Sequence, residues 1–343
     1  MFKANNNILL DCLHVKESGA KVLLIKLLEE LVNTKNLIIL LDQCIVLDEK
    51  LIEKHHIIRL KSSLLHRAYF YFKNNNFFCK IFTFNNLPPF FNSKTPSYVY
   101  FHNTLLLEKN NHIYSVKQKI ILRLKKILII RLKKNVDFWL VQTTHVSKLL
   151  VSAFEVKLDK VMLLPIIPNC EYSLNNNYKR VSNRMIYVST GFEYKNHFRL
   201  IQAFCASHTL HNLGTLVLTV DKKFEKLSKF IKSKIELGFP IINLGEVKRE
   251  KIIEEYLKSE FVIFPSLTES FGLGIVEGLN LGCKLIGANL PYTHSIAKTN
   301  YLFDPYCVDS ISEQISKSFF NKQSETLLTV IDKSKFIKYE IEK

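Results

Sequence analysis

The chain has 343 residues, 47% of them hydrophobic, and carries 48 Lys and Arg against 31 Asp and Glu for a net charge of +17. That length suits two domains. No apolar run approaches the roughly 18 to 20 residues of a membrane span, and the first eight residues do not read as a signal peptide, so a cytoplasmic protein is expected. The seven cysteines are scattered without a C-x-x-C pair, which argues against a disulfide framework and a zinc site. Residues 1–170 hold 25 basic against 12 acidic side chains, or +13, and residues 171–343 hold 23 against 19, or +4, so the first half is the basic one.

In chain order, residues 98–103 (YVYFHN) form a β-rich run that ends at His102. A lone His after a strand is more often structural than catalytic. Residues 116–134 interleave Lys117, Lys119, Arg123, Lys125, Lys126, Arg131, Lys133 and Lys134 with Ile and Leu, which reads as a basic amphipathic helix. Two roles are open to it: lying on an anionic leaflet, where each basic residue contributes about 1 kcal/mol, or packing on a sheet with its lysines in water. Residues 165–179 contain two prolines and an Asn run, and a domain boundary is expected there, between residues 1–168 and 169–320. The tail, residues 321–343, reads as polar and helical.

Glycine supplies the sharpest signal. The chain has ten, and five of them (Gly272, Gly274, Gly278, Gly282, Gly287) fall within sixteen residues. Ahead of them, residues 261–264 are a short apolar run closed by Pro265, which reads as a buried strand. Ser270 is the expected N-cap of a helix over residues 272–281, Gly282 its end, and residues 284–288 the next strand. Strand, loop, helix and strand make a βαβ crossover of a parallel sheet. A helix that opens with Gly272-Leu-Gly274 leaves its first N–H groups open to an anion, and a diphosphate fits there. Glu277, about five residues and roughly 8 Å along the axis, can reach the hydroxyls of a ribose attached to that diphosphate. Glu269 lies on the loop before the helix, where the hydroxyls of a transferred sugar would be. The plainer alternative is that both glutamates merely suit the positive end of the helix.

At these residues the sequence resembles a known family. The run 265–277, PSLTESFGLGIVE, is similar to the E-x7-E signature of the retaining GT-B glycosyltransferases of family 4 (group 1), usually P-S-x-x-E-G-F-G-L-P-x-x-E-A. The runs 282–292 (GCKLIGANLPY) and 301–305 (YLFDP) resemble segments that follow it in bacterial O-antigen and capsule members. Upstream, residues 187–197 (YVSTGFEYKNH) resemble the first strand and K-N-H phosphate turn of the family's second domain, and residues 98–103 and 140–143 (VQT follows Leu140) its first-domain strands. Residues 8–10, Ser18, Gly19 and a helix over 22–32 resemble the opening strand, glycine loop and helix.

The resemblance implies an α/β protein of GT-B fold, two doubly wound Rossmann-like domains facing across a cleft, with the last helix crossing back to the first domain. It implies transfer of a hexose-type sugar, with retention, from a UDP-, GDP- or dTDP-sugar to a saccharide or lipid-linked acceptor in surface polysaccharide synthesis, without a metal or other cofactor. Glu269 and His102 would orient the sugar, and Lys195 with the backbone at Ser270, Phe271, Gly272 and Leu273 would hold the leaving diphosphate, whose charge grows in the transition state. Glu277 would hold the ribose, Gly191 would line the donor site, and Ser18 and Gly19 would form an acceptor-side loop. Many members have an Arg a few positions before the Lys; here Ser189, Thr190 and Gly191 stand in its place, and Arg199 is the remaining candidate for a second charge. Gly274 replaces the common Pro. Peripheral attachment to the inner face of the cytoplasmic membrane through residues 116–134 is expected. Two rival readings are a GT-B nucleotide-sugar epimerase and a basic nucleic-acid-binding protein; the second lacks an aromatic-basic motif and leaves the Gly-Glu cluster unexplained.

Overall fold

The computed structural model describes residues 6–15, 19–74, 77–91, 95–108, 116–170, 178–321 and 325–343. Two compact units divide the chain, one of residues 1–169 with 331–343 and one of residues 170–330.

The first unit is a seven-stranded, wholly parallel sheet. Its strands are β1 (Ile8–Asp11), β2 (Leu37–Asp42), β3 (His56–Leu60), β4 (Lys80–Thr83), β5 (Ser97–Phe101), β6 (Phe138–Val141) and β7 (Val161–Leu163), in the order β3-β2-β1-β4-β5-β6-β7. The sequences explain the layering: ILLD in β1 and LIILLD in β2 are buried at every position, as strands covered on both faces must be. Helices α1 (Gly19–Leu31), α2 (Leu64–Lys73), α3 (Val116–Leu132) and α4 (Thr144–Phe154) connect them. Ser63 caps α2 by accepting from His66 N–H, and Thr143 caps α4 by accepting from Val146 N–H. One core gathers Val99, Phe101, Trp139, Val141, Leu150 and Phe154, and another Leu9, Ile38, Leu40, Phe70 and Phe78.

The second unit repeats the plan with six parallel strands: β8 (Val181–Tyr187), β9 (Thr215–Leu218), β10 (Ile241–Asn243), β11 (Ser259–Phe264), β12 (Lys284–Ala288) and, after the two-residue β13 (Ala297–Lys298), β14 (Tyr301–Phe303). Their order is β10-β9-β8-β11-β12-β14. The connecting helices are α5 (His197–His211), α6 (Glu225–Glu236), α7 (Arg249–Lys258), α8 (Leu273–Asn280), α9 (Pro291–His294) and α10 (Val308–Phe320), and β15 (Leu327–Leu328) pairs antiparallel with β13. The expected crossover at 261–288 is β11, α8 and β12. Gly278 lets α8 sit directly on the sheet, since a Cβ there would stand 2.8 Å from Val262 Cβ. The final helix α11 (Ser334–Glu342) belongs to the first unit and contacts α1; Lys80 Nζ donates to Glu340 O at 2.6 Å, and Thr34 Oγ1 donates to Glu342 Oε1 at 2.8 Å.

One local expectation is corrected. Ser270 is not the cap of α8: that position is Gly272, in the left-handed region at φ +61°, and no side chain caps the helix. An L side chain is strained at that φ, which explains the glycine. The helix expected over 116–134 is present as α3 to Leu132, followed by a 3-10 turn over Lys133–Asn135, and packs on the core through Leu122, Leu128 and Ile129. Ile129 is its one fully buried side chain, whereas Val116, Ile120, Ile121, Leu124, Ile127 and Ile130 are exposed among the basic residues.

In both sheets the strand order reverses beside the first strand of the unit, between β1 and β4 and between β8 and β11. At the first reversal Asp11 is fully buried and bonded to Arg67 Nε (2.7 Å), Tyr71 OH (2.9 Å) and Asn85 Nδ2 (2.9 Å). Arg67, also fully buried, spends its other arms on Pro88 O at 2.9 Å and Leu87 O at 3.0 Å. Removing one partner of such a pair strands the other charge, so Arg67→Met should destabilise the first unit by about 3–5 kcal/mol in urea unfolding. A change below about 1 kcal/mol would mean that the pair carries no such burden.

Candidate functional site

The site of the second unit begins at the end of β8. Tyr187, its last residue, donates its hydroxyl to Lys195 O at 2.9 Å and lies 2.7 Å from Ser266 Oγ in the loop after β11. Leu267 N donates to Tyr194 O at 2.8 Å, and Asn196, itself left-handed at φ +63°, donates from Nδ2 to Pro265 O and Pro305 O. Tyr292 closes the set by donating to Ser266 O at 2.7 Å. Loops after two neighbouring strands are thus stapled together at the topological reversal, where open α/β sheets bind ligands.

These staples bring Lys195 and Glu269 together. Lys195 Nζ stands 2.6 Å from Glu269 Oε1, with 15% and 12% of the two side chains exposed. Burial works to lower the Lys195 pKa, but the Glu269 carboxylate and the hydroxyls of Tyr187 and Tyr194 outweigh it and hold the ammonium above its usual range. Arg199 is not at this pair; its Nη1 donates to Asn196 Oδ1 at 2.9 Å. Gly191 lies in the loop between β8 and Lys195 and packs on the Phe224 ring. Phe271 is buried and Gly272 and Leu273 open α8, whose first N–H groups have no acceptor within the helix by position.

Glu277, one turn into α8, is 6% exposed and pairs with Arg249 Nη1 at 2.6 Å. Burial raises its pKa, and the guanidinium opposes that shift. Arg249 was not visible as a site residue in the sequence, because its partner lies 28 positions away and nothing local marks it. His197, the first residue of α5, is also unassigned by sequence: it is buried against the Tyr187 ring at 4.8 Å, and burial, then the Lys195 charge, push its pKa down to about 3.

In the first unit His102 follows β5. Its backbone N–H donates to Asn86 Oδ1 at 2.6 Å, so the Asn86 amide nitrogen, 3.1 Å from His102 Nε2, is the donor to the ring. That assigns the proton of the neutral imidazole to Nδ1, which is buried and has no partner among the described residues. Burial pushes the His102 pKa down to about 4. A cavity of about 360 Å³ lies at the same edge, lined on its polar side by His14, Ser62, Asn85, Asn86, Asn103 and Lys125. His14 Nδ1 is 2.7 Å from Ser62 Oγ. Gly19 begins α1, and Ser18 lies outside the described residues.

Among the described residues no group of three or more His, Cys, Asp or Glu is placed to hold a metal ion, and no helix is long and apolar enough to cross a membrane. His102, half-buried with a buried ring nitrogen, and the buried His197 give a pH test. Both have folded pKa values below the ordinary 6.5, so the unfolded chain binds more protons in the interval between, and stability falls as the pH drops from about 6.5 toward 4. NMR titration should find the rings of His102 and His197 neutral down to pH 5; a midpoint near 6.5 for either would contradict the burial described.

Residues 175–334 match the family of group 1 glycosyl transferases. No curated protein matches the chain significantly. Solved structures of similar fold include Anabaena HepE in complex with UDP and glucose (15% identity, TM-score 0.67, 98% of this chain and 94% of that one). A sucrose-phosphate synthase from Thermosynechococcus elongatus (13%, 0.63, 92% and 94%) and WaaG, a glycosyltransferase involved in lipopolysaccharide biosynthesis (12%, 0.65, 98% and 94%), are similar too. Identities this low speak for the fold alone, whereas the family match covers nearly all of the second unit. Residues 175–334 are therefore similar to the group 1 glycosyl transferases, and the two Rossmann-like units have the fold of the GT-B glycosyltransferases.

Proposed function

We propose that the protein transfers a hexose-type sugar from a nucleotide-sugar donor, with retention at the anomeric carbon, to a saccharide or lipid-linked acceptor in surface polysaccharide synthesis. The observation that carries this is the Lys195–Glu269 pair, held at the strand-order reversal beside the glycine-opened start of α8. A cation and a carboxylate in contact are what the junction of a sugar and a diphosphate requires: one group for the growing phosphate charge, one for the sugar hydroxyls. In this reading Lys195 and the N–H groups from Ser270 to Leu273 hold the leaving diphosphate, Glu269 and His102 orient the sugar, and Glu277 takes the ribose. HepE was solved with UDP and glucose, which favours a nucleotide diphosphate as the leaving group. No metal is assigned a part.

The acceptor reading rests on the cavity of the first unit, whose His14, Asn86, Asn103 and Lys125 offer hydrogen bonds to hydroxyls and a charge to an anionic group. Helix α3, which supplies Lys125, exposes Ile120, Leu124 and other apolar side chains among its basic ones. Such a surface gains from both burial in a bilayer interface and anionic headgroups. That chemistry supports an enzyme of the cytoplasm, peripheral on the inner face of the cytoplasmic membrane.

Glu269→Ala should lower transfer by about 100-fold or more while the protein stays folded, the scale of losing one preorganised polar contact to the reacting group. Full transfer activity in that variant would sink the site assignment. Neutralising Lys125, Lys126, Lys133 and Lys134 together should weaken binding to anionic liposomes by several kcal/mol, at about 1 kcal/mol per residue near the surface. Unchanged liposome binding would remove the membrane reading and leave the donor site untouched.

A further inference from the structure

The side chain of Glu277 is more deeply buried than that of Glu269, at 8% exposure against 12%. A carboxylate so placed is costly to keep ionised unless a charge compensates it. Three titratable side chains face it. Tyr256 of α7 and Cys170 ahead of β8 have their pKa values raised by burial, Cys170 to about 11, so both are uncharged near neutrality. Arg249 is the cation in ion-pair contact, 2.6 Å from Glu277 Oε1, and it comes from the first position of α7, while Glu277 comes from α8.

The pair is not closed on itself. Arg249 Nη2 is buried and has no hydrogen-bond partner among the described residues. A pair that served only to join two helices would satisfy that nitrogen, because an orphaned donor costs about 1–3 kcal/mol. The ionisation state of Glu277 also matters to what it can recognise. An ionised carboxylate accepts from both hydroxyls of a cis-diol, whereas the protonated acid spends part of its capacity as a donor.

We propose that Arg249 is a positioning residue of the donor site: it holds Glu277 ionised and oriented toward the diol of a ribose, and it offers its second guanidinium nitrogen to an acceptor atom of the same nucleoside. This rests on the donor-site reading above and adds to it the residue on which ribose recognition depends. It also fixes a sign. Without the guanidinium, burial is unopposed, the Glu277 pKa rises further, and ribose recognition is lost as the pH falls.

The test is calorimetric binding of UDP and GDP, each against its 2′-deoxy counterpart, to the full chain from pH 6 to 8.5. The wild type should bind one ribonucleotide more tightly than its deoxy form across that range. In Arg249→Met the affinity should fall about tenfold or more at pH 6, the scale of hydrogen bonds to a charged group, and recover in part as the pH rises, while the preference over the deoxy form vanishes at low pH. Adding Glu277→Gln to Arg249→Met should cost less than the sum of the two single losses, because part of the Arg249 effect acts through Glu277. Arg249→Gln replaces the Met variant if that one does not fold; failure of both to fold would mark a structural pair and overturn the proposal. So would wild-type affinity in Arg249→Met, or a loss equal at every pH that adds to that of Glu277→Gln. Unchanged nucleotide binding in Glu277→Ala, or none in the wild type, would instead bring down the donor-site reading itself.

Discussion

A parallel sheet must be covered on both faces, and that constraint governs the rest of this structure. Strands such as LIILLD are buried along their whole length and return through helices, so neither face is left for chemistry. What stays open is the edge where the strands end and the loops begin. The widest gap along it opens where the strand order reverses, between β1 and β4 in one unit and β8 and β11 in the other. Charged side chains with little exposure sit at both places: Asp11 with Arg67 in the first unit, Lys195 with Glu269 in the second.

The second reversal shows how a backbone arrangement becomes an electrostatic one. Tyr187, Asn196, Ser266 and Tyr292 are spent on fixing two loops, mostly through carbonyl acceptors. Their reward is a Lys and a Glu that meet with neither free to swing away. Lys195 keeps its charge in a place that would otherwise lower its pKa, because its carboxylate partner is fixed beside it. A preorganised ion pair of this sort loses little on binding a ligand, whereas two mobile side chains would have to be ordered first.

The parts legible in the sequence are those with local causes. The crossover from β11 to β12 could be read because an apolar run, a proline and a glycine-led helix follow one another within thirty residues, and the scarcity of glycine elsewhere made Gly272 and Gly278 conspicuous. Ser270 was misread as a cap because capping preferences describe side chains, while this helix starts from a left-handed glycine. Helix α3 was read as amphipathic from its alternation of Lys with Ile and Leu; only the fold reveals that most of its apolar side chains face outward. Arg249 and Arg67 were illegible for a different reason. Each meets its acid across 28 or 56 positions, and nothing in an isolated Arg tells which carboxylate the fold will bring to it.

The two arginines, Arg67 fully buried and Arg249 partly exposed, separate structure from site by how completely they are satisfied. Arg67 places Nε on Asp11 and its other two nitrogens on backbone carbonyls, with Tyr71 also bonded to the same carboxylate. Such a network has no vacancy for a ligand, and its work is to fix the loops around the first reversal. Arg249 satisfies Glu277 with Nη1 while its buried Nη2 has no partner among the described residues, and neither has the buried Nδ1 of His102. Folding tolerates an unsatisfied donor only where something else repays the cost. A closed network therefore belongs to the scaffold, and an open one, at the edge where ligands enter, is the better guide to function than charge or burial alone.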